Sequence, residues 1–181
     1  MTACSTGASE PGPTVANQGP SEDPGPRVRL IGLGNDIMSD DAVGLRLARL
    51  LRVRFAEERL DVEVVESEEG GLSLLDLVAG ADVAFLLDAM FTRKYPVGTL
   101  LEVDAGEARA TSAASAHFLS IGETMALGRM LEMDIPRSIR ILAIEVGDPY
   151  TVGAELTPSI LAALPGLAES ILERVRTTIT I

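Results

Sequence analysis

A chain of 181 residues, 46% of them hydrophobic, can bury one substantial core and is too short for two comfortable domains. Its formal net charge of −12 works against nucleic acid and anionic membrane surfaces as partners. The single cysteine, Cys4, excludes an intramolecular disulfide or a thiolate metal site, no stretch is apolar enough to span a bilayer, and no secretory signal opens the chain, so a reducing, cytoplasmic setting is expected.

Residues 1–26 (MTACSTGASEPGPTVANQGPSEDPGP) are rich in Pro, Gly, Ser and Thr and nearly devoid of large aliphatics, so they are expected to form a disordered extension ahead of one domain over 27–181. RVRLIGLG (27–34) is a short apolar run closed by glycines and reads as a buried strand. From Asp40, DDAVGLRLARLLRVRFA sets Val43, Leu47, Leu50 and Leu51 at helical spacing behind an acidic first turn. The alternation continues with a strand at 61–67, a helix at 71–79 and an apolar strand at 82–89. Successive βα units of this kind imply a mainly parallel sheet. A hairpin-like connection through Pro96, Val97 and Gly98 leads into a strand at 98–104 that is expected to lie antiparallel to its predecessor, making the sheet mixed. A helix at 117–133, an interior strand at 138–146 and a final helix follow. Thr157 is the expected N-cap of that last helix with Pro158 at its first position, and Pro165 should kink or split it.

In parallel α/β sheets, ligands sit outside the carboxyl ends of the strands. Asp88 ends the third strand, and Asp40 with Asp41 opens the helix after the first, so they are candidates for one shared site. An acid at a helix N-terminus is by itself usually a cap, but a carboxylate at the end of a doubly covered strand is costly without a partner. His117, the only histidine, begins the third helix; alone it is more often a surface or core residue than a ligand. Together, one imidazole and two carboxylates form an N/O set suited to Zn²⁺ or Ni²⁺, held weakly and with open positions. The same aspartates without metal could share a proton and activate water. GLGNDI is a poor dinucleotide loop, because Ile37 stands where a third glycine belongs and Asp36 would oppose a pyrophosphate. Gly32 and Gly34 are better read as a sharp exit from the strand with a close approach to something. The chain has neither a GKS/T phosphate loop nor a G-x-S-x-G elbow.

The string LIGLGNDIMSDDAVGLRLARLL resembles the opening signature of the hydrogenase maturation proteases, and EEGGLSLLDLVAGADVAFLLDAM, SAHFLSIGETMALGRML and GAELTPSILAALPGLAESIL are similar to later segments of that family in the same order. The resemblance covers about residues 27–176. It implies an α/β/α sandwich around a twisted, mainly parallel but mixed five-stranded sheet. It also implies an endopeptidase that removes a C-terminal extension from the [NiFe]-hydrogenase large-subunit precursor after nickel insertion. Asp41, Asp88 and His117 fall on the family's metal-recognising positions, where they would also carry the catalysis, and Gly34, Asn35, Asp40, Glu69, Gly70 and Gly71 on the segments expected to hold substrate. No tightly bound cofactor is expected; the metal is the Ni²⁺ of the precursor, whose place Zn²⁺ or Cd²⁺ could take in vitro. Asp41 stands where many members carry glutamate, Glu69 where an aspartate is usual, and Phe118 where the residue after the histidine is usually polar. Two rival readings are a nickel-sensing chaperone that cuts nothing and a peptidase of the same fold with another protein substrate. A monomer is expected, with no nucleic acid or membrane partner.

Overall fold

The computed structural model describes residue 1 and residues 25–104, 116–153 and 155–179. The segment expected to be a disordered extension therefore lies almost wholly outside the described residues. Five strands, β1 (Val28–Leu33), β2 (Val62–Ser67), β3 (Val83–Met90), β4 (Leu100–Asp104) and β5 (Ser138–Glu145), form one sheet in the order β2-β1-β3-β5-β4. The pairs β1·β2, β1·β3 and β3·β5 are parallel, and β4 runs antiparallel to β5.

The expected hairpin between β3 and β4 is overturned, because β5 lies between them. Glu145, at the end of β5, explains how the chain gets across. Its buried carboxylate accepts the N–H groups of Thr92 and Arg93 at 2.8 and 2.7 Å and the Thr92 hydroxyl at 2.6 Å. Its own N–H donates to Thr99 O at 3.0 Å while its carbonyl accepts Gly98 N–H at 2.8 Å. The connection thus crosses the carboxyl end of β5 with the N–H groups of Thr92, Arg93 and Gly98 and the carbonyl of Thr99 all paired to Glu145.

Strand side chains alternate between two cores. Leu30, Phe85, Leu87, Leu142 and Ile144 pack under α1 (Val43–Glu58) and α4 (Pro158–Ile179), against Leu47, Leu51, Phe55, Ile171 and Val175 among others. On the opposite face, Ile31, Leu33, Leu86 and Ile141 pack under α2 (Leu74–Val78) and α3 (Ala116–Met130), against Leu75, Val78, Ile121 and Met125. Single 3-10 turns, Asp40–Ala42 and Gly71–Ser73, precede α1 and α2, so the helices predicted from 40 and 71 begin slightly later.

Thr157 precedes α4 as expected, its carbonyl accepting Leu161 N–H at 2.9 Å. Pro165, by contrast, does not split the helix. It lies on the exposed face, and its missing N–H deprives the carbonyl of Leu161, itself an exposed residue, of a helical donor. Among the described residues no helix is long and apolar enough to cross a membrane.

Candidate functional site

The strand order makes β1 the point where the sheet reverses: β2 lies on one side of it and β3 on the other. Crevices form at such switch points because the two outgoing chains diverge. Here β1 and β3 are in register up to Gly32 and Leu87, after which β1 ends at Leu33 while β3 continues to Met90. Asp88 is thus the first residue of β3 without a β1 partner, and by alternation it faces the α2/α3 side with Leu86 and Met90.

Three glycines determine how close the other wall comes. A Cβ on Gly44 would stand 2.2 Å from Leu33 O and 2.5 Å from Leu87 O, so α1 rests directly on the carbonyl ends of both strands. A Cβ on Gly32 would stand 2.6 Å from Ala48 Cβ. Gly34, at φ +144°, lets the chain turn off β1 so tightly that a Cβ there would lie 2.1 Å from Asp41 O. The close approach expected of Gly32 and Gly34 is therefore an approach to the start of α1, which brings Asp41 to the crevice.

The result is a cleft of about 230 Å³ lined by Asp41 and Asp88 together with Gly34, Asn35, Glu68, Glu69, Gly70 and three apolar side chains, Leu33, Leu74 and Ile121. Asp88 is 6% exposed. Its Oδ1 accepts Ala89 N–H at 2.8 Å, and its Oδ2 is buried without a hydrogen-bond partner among the described residues. Burial, joined by the charge of Asp41 and only partly offset by the Ala89 N–H, pushes its pKa up to about 7. The loop bearing Asn35 is braced: the Asn35 side-chain oxygen accepts Ile37 N–H at 3.1 Å, and Asp36 is gripped by Arg49 of α1 at 2.5 and 3.0 Å. That ion pair holds the Asp36 carboxyl below its usual range and gives it a structural partner.

Of the residues singled out in the sequence, Asp41, Asp88, Gly34, Asn35, Glu69 and Gly70 line this one cleft. Gly71 adjoins it at the start of a 3-10 turn, with φ +65°. Asp40 differs from the expectation that it would hold substrate. Fully buried, its carboxylate accepts the N–H groups of Gly147, Asp148 and Thr157 at 3.0, 2.9 and 2.7 Å and the Thr157 hydroxyl at 3.0 Å. It ties the start of α1 to the loop after β5 and the start of α4. His117 lies in the first turn of α3, about one turn ahead of the cleft residue Ile121, and its side chain lies outside the described residues. Among the described residues no group of three or more His, Cys, Asp or Glu is arranged to hold a metal ion. Sequence reasoning missed Glu68, whose only signal was adjacency to Glu69, and the packing role of Gly44.

A family model described as hydrogenase maturation protease matches residues 45–174. The chain is 25% identical over 158 residues to the hydrogenase 2 maturation protease of Escherichia coli (strain K12), covering 82% of this chain and 95% of that relative. It is 26% identical over 151 residues to the hydrogenase expression/formation protein HupD of Thiocapsa roseopersicina, covering 82% of this chain and 67% of that one. Its fold is similar to that of the hydrogenase maturating endopeptidase HybD from E. coli, with a TM-score of 0.67 at 23% identity over 83% of this chain and 93% of the other. It is also similar to the [NiFe] hydrogenase maturation protease HybD from Thermococcus kodakarensis, with a TM-score of 0.61 at 24% identity over 82% and 99%.

Proposed function

Since the chain belongs to the hydrogenase maturation protease family and is thereby a peptidase, we propose that it removes a C-terminal extension from a [NiFe]-hydrogenase large-subunit precursor once nickel has been inserted. In this reading Asp41, Asp88 and His117 recognise the precursor's nickel and hold the adjoining peptide in the cleft. The observation that carries it is the meeting of Asp41 and Asp88 in one cleft, with the buried Oδ2 of Asp88 lacking a donor among the described residues. A desolvated acceptor left without a partner is costly, and a cation delivered by the substrate would supply one.

Hydrolysis then needs a water directed at the scissile carbonyl. Either the precursor's nickel polarises that carbonyl and activates the water, or an aspartate takes the water's proton and passes it to the departing amine. Asn35 and the Glu69–Gly70 turn, which line the cleft, would orient the peptide.

The test is to incubate the purified protein with nickel-loaded and nickel-free precursor and to weigh the products by mass spectrometry. Loss of a C-terminal peptide from the loaded precursor alone is expected, and Asp88→Ala should abolish it while the far-UV spectrum stays unchanged. Cleavage of both precursors would remove nickel recognition from the reading. Binding without cleavage of either would replace the protease with a chaperone.

A further inference from the structure

Beside the cleft, two loops are zipped together. Ser39 N–H donates to Thr151 O at 2.9 Å, Gly153 N–H to Ile37 O at 2.7 Å, and Met38 bridges Val152 in antiparallel fashion. Asp148 stiffens the second loop by accepting the N–H groups of Tyr150 and Thr151 at 3.1 and 3.2 Å. This ordered backbone turns large apolar side chains outward: Ile37, Tyr150 and Val152 are 62, 69 and 68% exposed. The Tyr150 ring stands edge-on to Phe91, with centroids 5.5 Å apart, which extends the ridge to the end of β3 just past Asp88. Isolated exposed apolar side chains are commonplace, but three on a single braced loop pair make a patch of the kind that marks an interaction surface.

We infer that this ridge docks the folded body of the protein substrate through an apolar patch bordered by basic side chains on the side nearest the cleft, while the cleft takes the segment to be cut. Two observations favour that occupant. The ridge is continuous with the cleft, because Asn35, which lines the cleft, accepts the N–H of Ile37 through its side chain. The cleft side of the ridge is acidic, since Asp41, Glu68, Glu69 and Asp88 line the cleft with no Lys or Arg among the described lining residues, whereas the other end carries Arg93, 4.8 Å from the Phe91 ring. Charge of one sign beside an apolar patch selects a partner of the other sign and speeds its arrival. Pre-ordered loops spare the entropy that a mobile surface would lose on binding. The inference rests on the proposed protease reading for the identity of the substrate, but its readout is separate.

Processing of the nickel-loaded precursor is measured for the full-length protein, for Ile37→Asp, Val152→Asp and the milder Val152→Ser, and for Val53→Asp as a control at an exposed apolar position on α1. Both aspartate variants should raise KM by about tenfold or more, as loss of a central apolar contact does, with kcat and melting temperature unchanged. Val152→Ser should move KM in the same direction, and Val53→Asp should match the parent. Parental KM values for Ile37→Asp and Val152→Asp would overturn the ridge and leave the protease standing. Were the parent to cleave nothing, the protease reading alone would fail; interferometry of precursor binding would still decide the ridge, a weakened Kd in Val152→Asp supporting it and an equal one overturning it. Self-association abolished by Val152→Asp, with precursor KM unmoved, would assign the ridge to a second copy of the chain and overturn the proposal.

Discussion

Replacing Asp88 by Asn should make the protein more stable at alkaline pH while destroying its processing activity. In the folded chain Asp88 titrates at about 7 instead of 3.8, so between those values the native state holds a proton that the unfolded state has released. Stability must therefore fall as pH rises through that window, and the full cost of ionising the buried group is present above it. One unit is worth ~1.4 kcal/mol, which puts the total near 4 kcal/mol and the part lost between pH 5 and pH 8 near 3 kcal/mol. Asn keeps an oxygen to accept Ala89 N–H and cannot ionise. Urea unfolding of both proteins at pH 5 and pH 8 should show the stability of Asp88→Asn relative to the parent growing by about 3 kcal/mol between the two. An advantage independent of pH, or one that shrinks as pH rises, would refute the claim that Asp88 is held in the fold at the expense of stability.

Two further substitutions test the packing. Gly44→Ala should lower stability by about 2 kcal/mol and cut processing, because the two nearest atoms it meets are backbone carbonyl oxygens of β1 and β3 that cannot yield; Gly166→Ala, in α4 with nothing within 4 Å, should instead raise stability by ~0.5–1 kcal/mol, and urea titration of the pair reads both signs. Pro165→Ala should stabilise by about 1–2 kcal/mol in the same assay, as the restored Leu161 hydrogen bond outweighs the freedom gained by the unfolded chain.

Much of this architecture was legible because it rests on local patterns. The apolar runs at β1, β3 and β5 and the helical spacing of Val43, Leu47 and Leu51 identify buried strands and a covering helix without reference to anything distant. The candidates Asp41 and Asp88 were legible for a related reason: each closes or follows a parallel strand, and the ends of parallel strands converge. What the residues could not convey was pairing across long separations. The chain from β3 to β4 looks like a hairpin locally, and only the burial of Glu145 against Thr92 and Arg93 shows that β5 intervenes. Likewise Asp40 and Asp41 are chemically identical neighbours, and nothing in their immediate sequence says which one turns inward. Partners at Gly147, Asp148 and Thr157 decide it.

Those partners also set a timetable for synthesis. Asp40 leaves the ribosome more than a hundred residues before the donors that its carboxylate gathers, at separations of 107, 108 and 117 positions. Until they emerge, the buried carboxylate that anchors the turn bearing Asp41 has none of these donors, and the sheet lacks β5 beside Asp88. A nascent or prematurely terminated chain can thus possess both aspartates of the cleft and still be unable to aim them, so that competence arrives only with the last strand and helix.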